Sequence, residues 1–184
     1  MVNTCIFMKT LIPVITLFAG CLLYACGNNA ELPTVTQVDL ARYAGKWYEI
    51  ASFPTSFQKD CQCTTATYTQ TDKEYVKVYN QCRKGPSGSK TTDIEGKAFP
   101  VSGSNNARLK VQFFPLIKAP YYVIGLDSVN YQYAMVGAPS RNYLWILSRN
   151  PQLEPEIYNR LTNKASELGF DVNRLKRTIQ DCSL

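Results

Sequence analysis

The chain has 184 residues, a net charge of +6, seven cysteines and no histidine. The length fits one domain plus a targeting segment. The missing histidine excludes Ser-His-Asp and Cys-His catalysis and histidine-held zinc or haem, so neither catalysis nor a cofactor is expected. Charged residues are 18% and hydrophobic ones 45%, which excludes a disordered chain. The positive charge is scattered rather than gathered into a stripe, so nucleic acid is not an expected partner.

Met8-Lys9-Thr10 leads into an apolar run from Leu11 to Leu23, and Lys9 is the only charge before Glu31. A short positive start and an apolar stretch read as a secretory signal, with either Met1 or Met8 as initiator. The run is short for a membrane span. It ends in Leu23-Tyr24-Ala25-Cys26, which resembles a bacterial lipobox whose cysteine becomes a lipidated first residue. Phe18-Ala19-Gly20-Cys21 is an alternative with a poorer first residue, and an ordinary signal peptide with a bystander cysteine is a third reading. Gly27, rather than Asp, after Cys26 implies the outer membrane by the same resemblance. The expected organisation is a signal peptide over 1–25, a lipidated N-terminus and tether over 26–38, and one domain over 39–184.

Eight β-rich segments follow: 47–52, 64–69, 75–80, 92–99, 107–113, 121–127, 133–137 and 143–148. Turn signals separate them, among them Gly85-Pro86-Ser87-Gly88, Gly103-Ser104-Asn105-Asn106, Pro115, Pro120 and Pro139. Short connections between eight strands predict an all-β, antiparallel up-and-down barrel. Then Ile157, Leu161, Ala165 and Leu168 fall at helical spacing after Pro155, with Gly169 as a stop. This C-terminal helix is expected on the outside of the sheet, followed by a short strand over 172–177.

Arg42-Tyr43-Ala44-Gly45-Lys46-Trp47-Tyr48-Glu49-Ile50 resembles the first signature of the lipocalin family, Gly-x-Trp on the first strand. Val123 to Asp127 with Tyr133 to Gly137 resembles its second region, and Tyr143 to Arg149 its third. The order and spacing agree over residues 38–182. Within the family the chain resembles bacterial outer-membrane lipoproteins and, more distantly, apolipoprotein D. The resemblance implies that Gly45, Trp47, Asp127 and Arg149 are structural, with the Arg149 guanidinium stacked on the Trp47 ring at the closed end of the barrel.

Four cysteines lie in the domain, and an exported protein can pair them. A hairpin of the second and third strands brings Cys61 and Cys82 to one end, which makes their pairing geometrically reasonable. The resemblance to apolipoprotein D implies Cys63–Cys182. The alternative, Cys61–Cys182 with Cys63–Cys82, stays open on the sequence.

The resemblance also implies that Tyr68, Asn80 and Trp145 face the barrel cavity. Tyr121 or Tyr122 contributes from the sixth strand, and Tyr143 shares the parity of Trp145. Lys59, Arg83, Lys84, Lys90, Lys118 and Arg141 ring the mouth. An apolar pocket with a basic rim suits a fatty acid or lysophospholipid, held by a protein that stores or carries it at the outer membrane, on the periplasmic side. Two other readings stay open: a structural or partner-binding envelope module, a homodimer included, and a lipid-modifying enzyme on this fold. No nucleophile–base pair supports the last.

Overall fold

The computed structural model describes residues 31–85 and 89–182. Cys26, the signal segment and the first part of the tether lie outside the described residues.

The strands are β1 (Gly45–Ser52), β2 (Gln62–Gln70), β3 (Val76–Lys84), β4 (Lys90–Pro100), β5 (Arg108–Phe114), β6 (Ile117–Leu126), β7 (Tyr133–Gly137) and β8 (Leu144–Ser148). Each pairs antiparallel with the next, and β1 pairs with both β8 and β2, so the eight strands close into an up-and-down barrel. Closure removes the unpaired edges that an open sheet would present. A short helix α1 (Leu40–Tyr43) precedes β1, α2 (Pro155–Glu167) follows β8, and a two-residue strand β9 (Lys176–Arg177) ends the order.

Alternation along the strands sorts the side chains into two cores. Trp47, Tyr68, Val76, Val78, Ala98, Leu109, Val111, Val123, Ala134, Val136 and Leu147 fill the interior. Ile50, Phe53, Ile124, Met135, Leu144 and Ile146 face outward under Leu161 and Ala165 of α2 and Phe170 beyond it. The helix starts with Pro155 in its first turn, where a missing N–H costs nothing, and lays its apolar stripe on β6, β7, β8 and β1. Among the described residues, both cores are built from residues 31–182.

The structure differs from the sequence expectations in four places. Residues 31–38, expected as tether, lie against the barrel: Leu32 and Val38 are buried, and the Val35 amide donates to the Val123 carbonyl at 2.9 Å. Helix α1 was not expected; the Asp39 carboxylate caps it by accepting from the Ala41 and Arg42 amides. Strand β6 begins at Ile117 and includes Pro120. There β6 pairs only with β5, since β7 first meets it at Tyr122, so the missing N–H falls where no second strand needs it. The expected strand over 172–177 is a single turn at Val172–Arg174 followed by β9, which pairs with Ala51 and Ser52.

At the closed end Trp47 is fully buried, and its indole N–H donates to the Tyr43 carbonyl at 2.8 Å. The Arg149 guanidinium sits 3.8 Å from the Trp47 ring. It donates to the carbonyls of Tyr131, Lys46, Arg42 and Ala44. One side chain thus satisfies carbonyls from three segments and covers the indole, a stacking worth about 0.5–2 kcal/mol. Burial lowers the Arg149 pKa, though the phenol of Tyr43 opposes this. Gly45 takes φ +94°, and a Cβ there would stand 3.3 Å from Arg149 Nη1, so glycine fits on both counts. Asp127 accepts from the amides of Val129, Asn130 and Gln132 and shapes the β6–β7 turn.

Candidate ligand site in the barrel

Three tyrosines form the floor of the interior. Tyr43 comes from α1, Tyr68 from β2 and Tyr121 from β6. The Tyr121 hydroxyl is 2.8 Å from each of the other two hydroxyls. The rings of Tyr43 and Trp47 lie 4.9 Å apart, and those of Tyr68 and Tyr121 lie 6.1 Å apart. Three O–H groups share two hydrogen bonds, so one phenolic proton has no acceptor among the described residues. Burial pushes the Tyr68 pKa up to about 12, with its hydrogen bond to Tyr121 opposing the rise, and raises those of Tyr43 and Tyr121 well above the usual range, with the Tyr68 phenol adding to the rise of both.

These shifts set an alkaline limit. A phenol whose folded pKa is raised favours the folded state only while it stays neutral. Its contribution is complete below pH 10 and is lost as the unfolded phenol ionises. Stability should fall by about 1.4 kcal/mol per pH unit for each buried tyrosine between pH 10 and 12. Denaturant unfolding followed from pH 9 to 12 checks this; a flat profile contradicts it.

Above the floor, Asn80 on β3 pairs in register with Ala66 on β2, which pairs in turn with Trp47 on β1. Its side chain shares the inward parity of Val76 and Val78, and its amide oxygen is buried with no hydrogen-bond donor. Inward parity also holds for Ile94 and Ala119. Both are solvent-exposed, Ile94 at 36%, so the mouth half of the lumen is open where the floor is filled.

Trp145 on β8 faces inward and packs against the inner core. Its indole N–H donates to Gln58 Oε1 at 3.1 Å, and the Gln58 amide donates to Glu49 Oε2 at 2.8 Å. Glu49 also accepts from Thr178 at 2.6 Å and Ser52 at 3.0 Å. This network ties the cavity-facing indole to the β1–β2 loop and to the C-terminal strap. Tyr143 stacks on Trp145 with centroids 6.0 Å apart and is 42% exposed at the rim.

The structure therefore brings Tyr68, Asn80, Tyr121, Tyr143 and Trp145 to one lumen. Tyr122 it does not. Adjacent strand residues face opposite sides, and Tyr121 takes the inner one, so Tyr122 packs into the outer core with Arg108 5.4 Å from its ring. Sequence reasoning missed Tyr43, Gln58 and Glu49. Asp39 three residues before Arg42 was the available signal for α1 and hence for Tyr43; nothing local marked Gln58.

Disulfides join Cys61 to Cys82 and Cys63 to Cys182. The second fastens the strap. The Cys63 amide donates to the Ile179 carbonyl, and the Gln180 side chain donates to the carbonyls of Glu49 and Thr64, closing the gap where β1 and β2 diverge. Two grooves, of about 330 and 770 Å³, open at the closed end and share no residue with the lumen set above. Among the described residues no cluster of Cys, Asp and Glu is placed to hold a metal, and no helix is long and apolar enough to cross a membrane.

An up-and-down barrel with a sealed aromatic floor and an open, partly apolar lumen is the architecture of a small-ligand-binding barrel. A family model described as a lipocalin-like domain matches residues 38–180. The chain is 42% identical over 162 residues to Temperature-induced lipocalin-1 of Arabidopsis thaliana, covering 83% of this chain and 85% of that one. It is 38% identical over 159 residues to Outer membrane lipoprotein Blc of Vibrio cholerae, covering 86% and 90%. Apolipoprotein D of Mus musculus is 32% identical over 187 residues, covering 94% and 96%. Among solved structures, insecticyanin from the tobacco hornworm superposes with a TM-score of 0.65 at 21% identity, over 80% of this chain and 84% of that one, a likeness of fold. The chain belongs to the lipocalin family.

Proposed function

We propose that this protein binds a fatty acid or lysophospholipid in the mouth half of its barrel and serves the bacterial envelope as a lipid store or carrier. Catalysis has no part in this reading. The observation that carries it is the lumen itself: exposed, inward-facing Ile94 and Ala119 with half-buried Ala66 and Trp145, the unpaired oxygen of Asn80, and a floor holding one unpaired phenolic proton. An apolar shaft with a few convergent polar groups suits a chain with one polar end. Lys59, Lys84, Lys90 and Lys118 at or near the mouth favour an anionic headgroup.

In the same reading residues 1–25 are a lipoprotein signal peptide, Cys26 carries the lipid that holds the protein to the periplasmic side of the outer membrane, and residues 27–30 link it to the barrel. The resemblance to outer-membrane lipoproteins supports this placement.

Titrating the chain from Gly27 onward with fluorescent fatty acids and lysophospholipids tests the ligand class. Saturable binding at one site is the expected result. A folded protein that binds no acyl ligand refutes it.

A further inference from the structure

The exposed apolar side chains are not spread evenly. Among the described residues, the large exposed hydrophobics are Phe57, Ile94, Phe114, Leu116, Ile117, Val129, Tyr143 and Ile179. All but Val129 lie on the mouth loops, the mouth half of a strand or the strap beside the mouth. Charge divides the same way. Connections 53–61, 83–91, 114–120 and 138–142 hold Lys59, Arg83, Lys84, Lys90, Lys118 and Arg141 against Asp60 alone. The closed end, turns 71–75, 101–107 and 127–132 with the entry to β1 and Arg149, holds Arg42, Lys46, Lys73 and Arg149 against Asp39, Asp72, Glu74 and Asp127, so its charge is balanced.

The β5–β6 hairpin tip sharpens this. Phe114 pairs with Ile117, so Pro115 and Leu116 alone make the turn. Leu116 takes φ +67°, a conformation that glycine adopts freely and leucine only at a cost, and its side chain is 98% exposed. Phe114 is 59% and Ile117 65% exposed, and Phe57, on the β1–β2 loop across the mouth, is 62% exposed. Folding gains nothing from an apolar side chain held in water on a strained turn. A partner that takes up apolar tips and also carries negative charge accounts for both features.

We propose that the barrel mouth is a docking face for an anionic lipid bilayer, with Phe57, Phe114, Leu116 and Ile117 entering the interfacial layer and Lys59, Lys84 and Lys90 meeting headgroup phosphates. Apolar tips inside a basic collar are the sequence-readable form of interfacial binding, in which buried apolar area and attraction to anionic lipid act together. Docked this way, the lumen opens onto the bilayer, so an acyl chain passes between membrane and barrel without crossing water. The docking face does not depend on which ligand the lumen holds.

Sedimentation of the chain from Gly27 onward with vesicles tests it, because both cores are built from residues 31–182. The protein should sediment with vesicles of equal parts phosphatidylglycerol and phosphatidylcholine, and less with pure phosphatidylcholine or in high salt. Leu116→Asp with Ile117→Asp should weaken partitioning by at least about tenfold. Lys59→Gln with Lys90→Gln should weaken it on anionic vesicles only, by about fivefold per lysine. Val129→Asp at the closed end should leave it unchanged. Circular dichroism confirms that each variant is folded. The proposal is overturned if the wild-type chain stays in solution with both vesicle types, or if the double aspartate variant binds as the wild type does. It is overturned equally if the mouth instead joins two copies, seen as a dimer in sedimentation velocity that Leu116→Asp splits while vesicles bind nothing.

Discussion

Trp47→Ala should lower the unfolding free energy by about 3–5 kcal/mol, the range for emptying a fully buried large aromatic site. Three consequences add in the same direction. The substitution opens a cavity among Tyr43, Val38 and the floor of the barrel, where the indole has no solvent exposure. It leaves the Tyr43 carbonyl without the 2.8 Å bond from the indole N–H. It also removes the surface on which the Arg149 guanidinium rests at 3.8 Å. Trp47→Phe keeps an aromatic face and loses chiefly the hydrogen bond, so its cost should be nearer 1–2 kcal/mol as a rough figure. Urea unfolding of both variants beside the wild type measures this. A loss below about 1 kcal/mol for the alanine variant contradicts the assignment of Trp47 as the keystone of the closed end.

The second large effect concerns the disulfides. Cys63–Cys182 spans 119 residues and Cys61–Cys82 spans 21. On the chain-entropy account, removing the longer cross-link costs about 5 kcal/mol and the shorter about 3 kcal/mol. The native state adds to the difference. The longer bridge fastens the strap whose Thr178 amide donates to the Ile50 carbonyl and whose Thr178 hydroxyl donates to the buried Glu49 carboxylate. Freeing it also weakens the path from Glu49 through Gln58 to Trp145. Urea midpoints of the Cys63→Ala/Cys182→Ala and Cys61→Ala/Cys82→Ala variants compare the two directly. Equal losses, or a larger loss for the short bridge, contradict this order.

Much of the fold was legible because its strands obey simple rules. β-branched and aromatic residues alternate between two faces, turn residues sit at short intervals, and each of the eight expected segments became a strand. The boundaries moved where a local rule met its exception. Pro120 reads as a breaker, but its strand has a partner on one side only at that level. Residues 31–38 lack apolar period, yet Leu32 finds a place in the outer core, a contact that no local pattern announces.

The candidate site was legible in part for the same reason. Strand parity places Tyr143 with Trp145, and the family resemblance implied that Trp145, Tyr68 and Asn80 face inward, whereas the choice between Tyr121 and Tyr122 depends on register with β5. Tyr43 reaches the floor only because α1 folds under the barrel. The burial of Glu49 depends on a strap more than a hundred residues away in sequence. Both are products of closure rather than of local sequence.

The central claim, that the mouth half of the lumen holds an acyl ligand, meets its most direct test when the lumen is filled by substitution. Ala119 faces inward, is exposed and sits opposite Val111, so a larger side chain there occupies the shaft without entering the packed floor. The measurement is fluorescent fatty-acid titration of the wild-type chain and of Ala119→Trp, both shown to be folded. Saturable binding by the wild type and its loss in the variant is the expected result. Undiminished affinity in the variant would place any acyl binding outside the lumen and contradict the account.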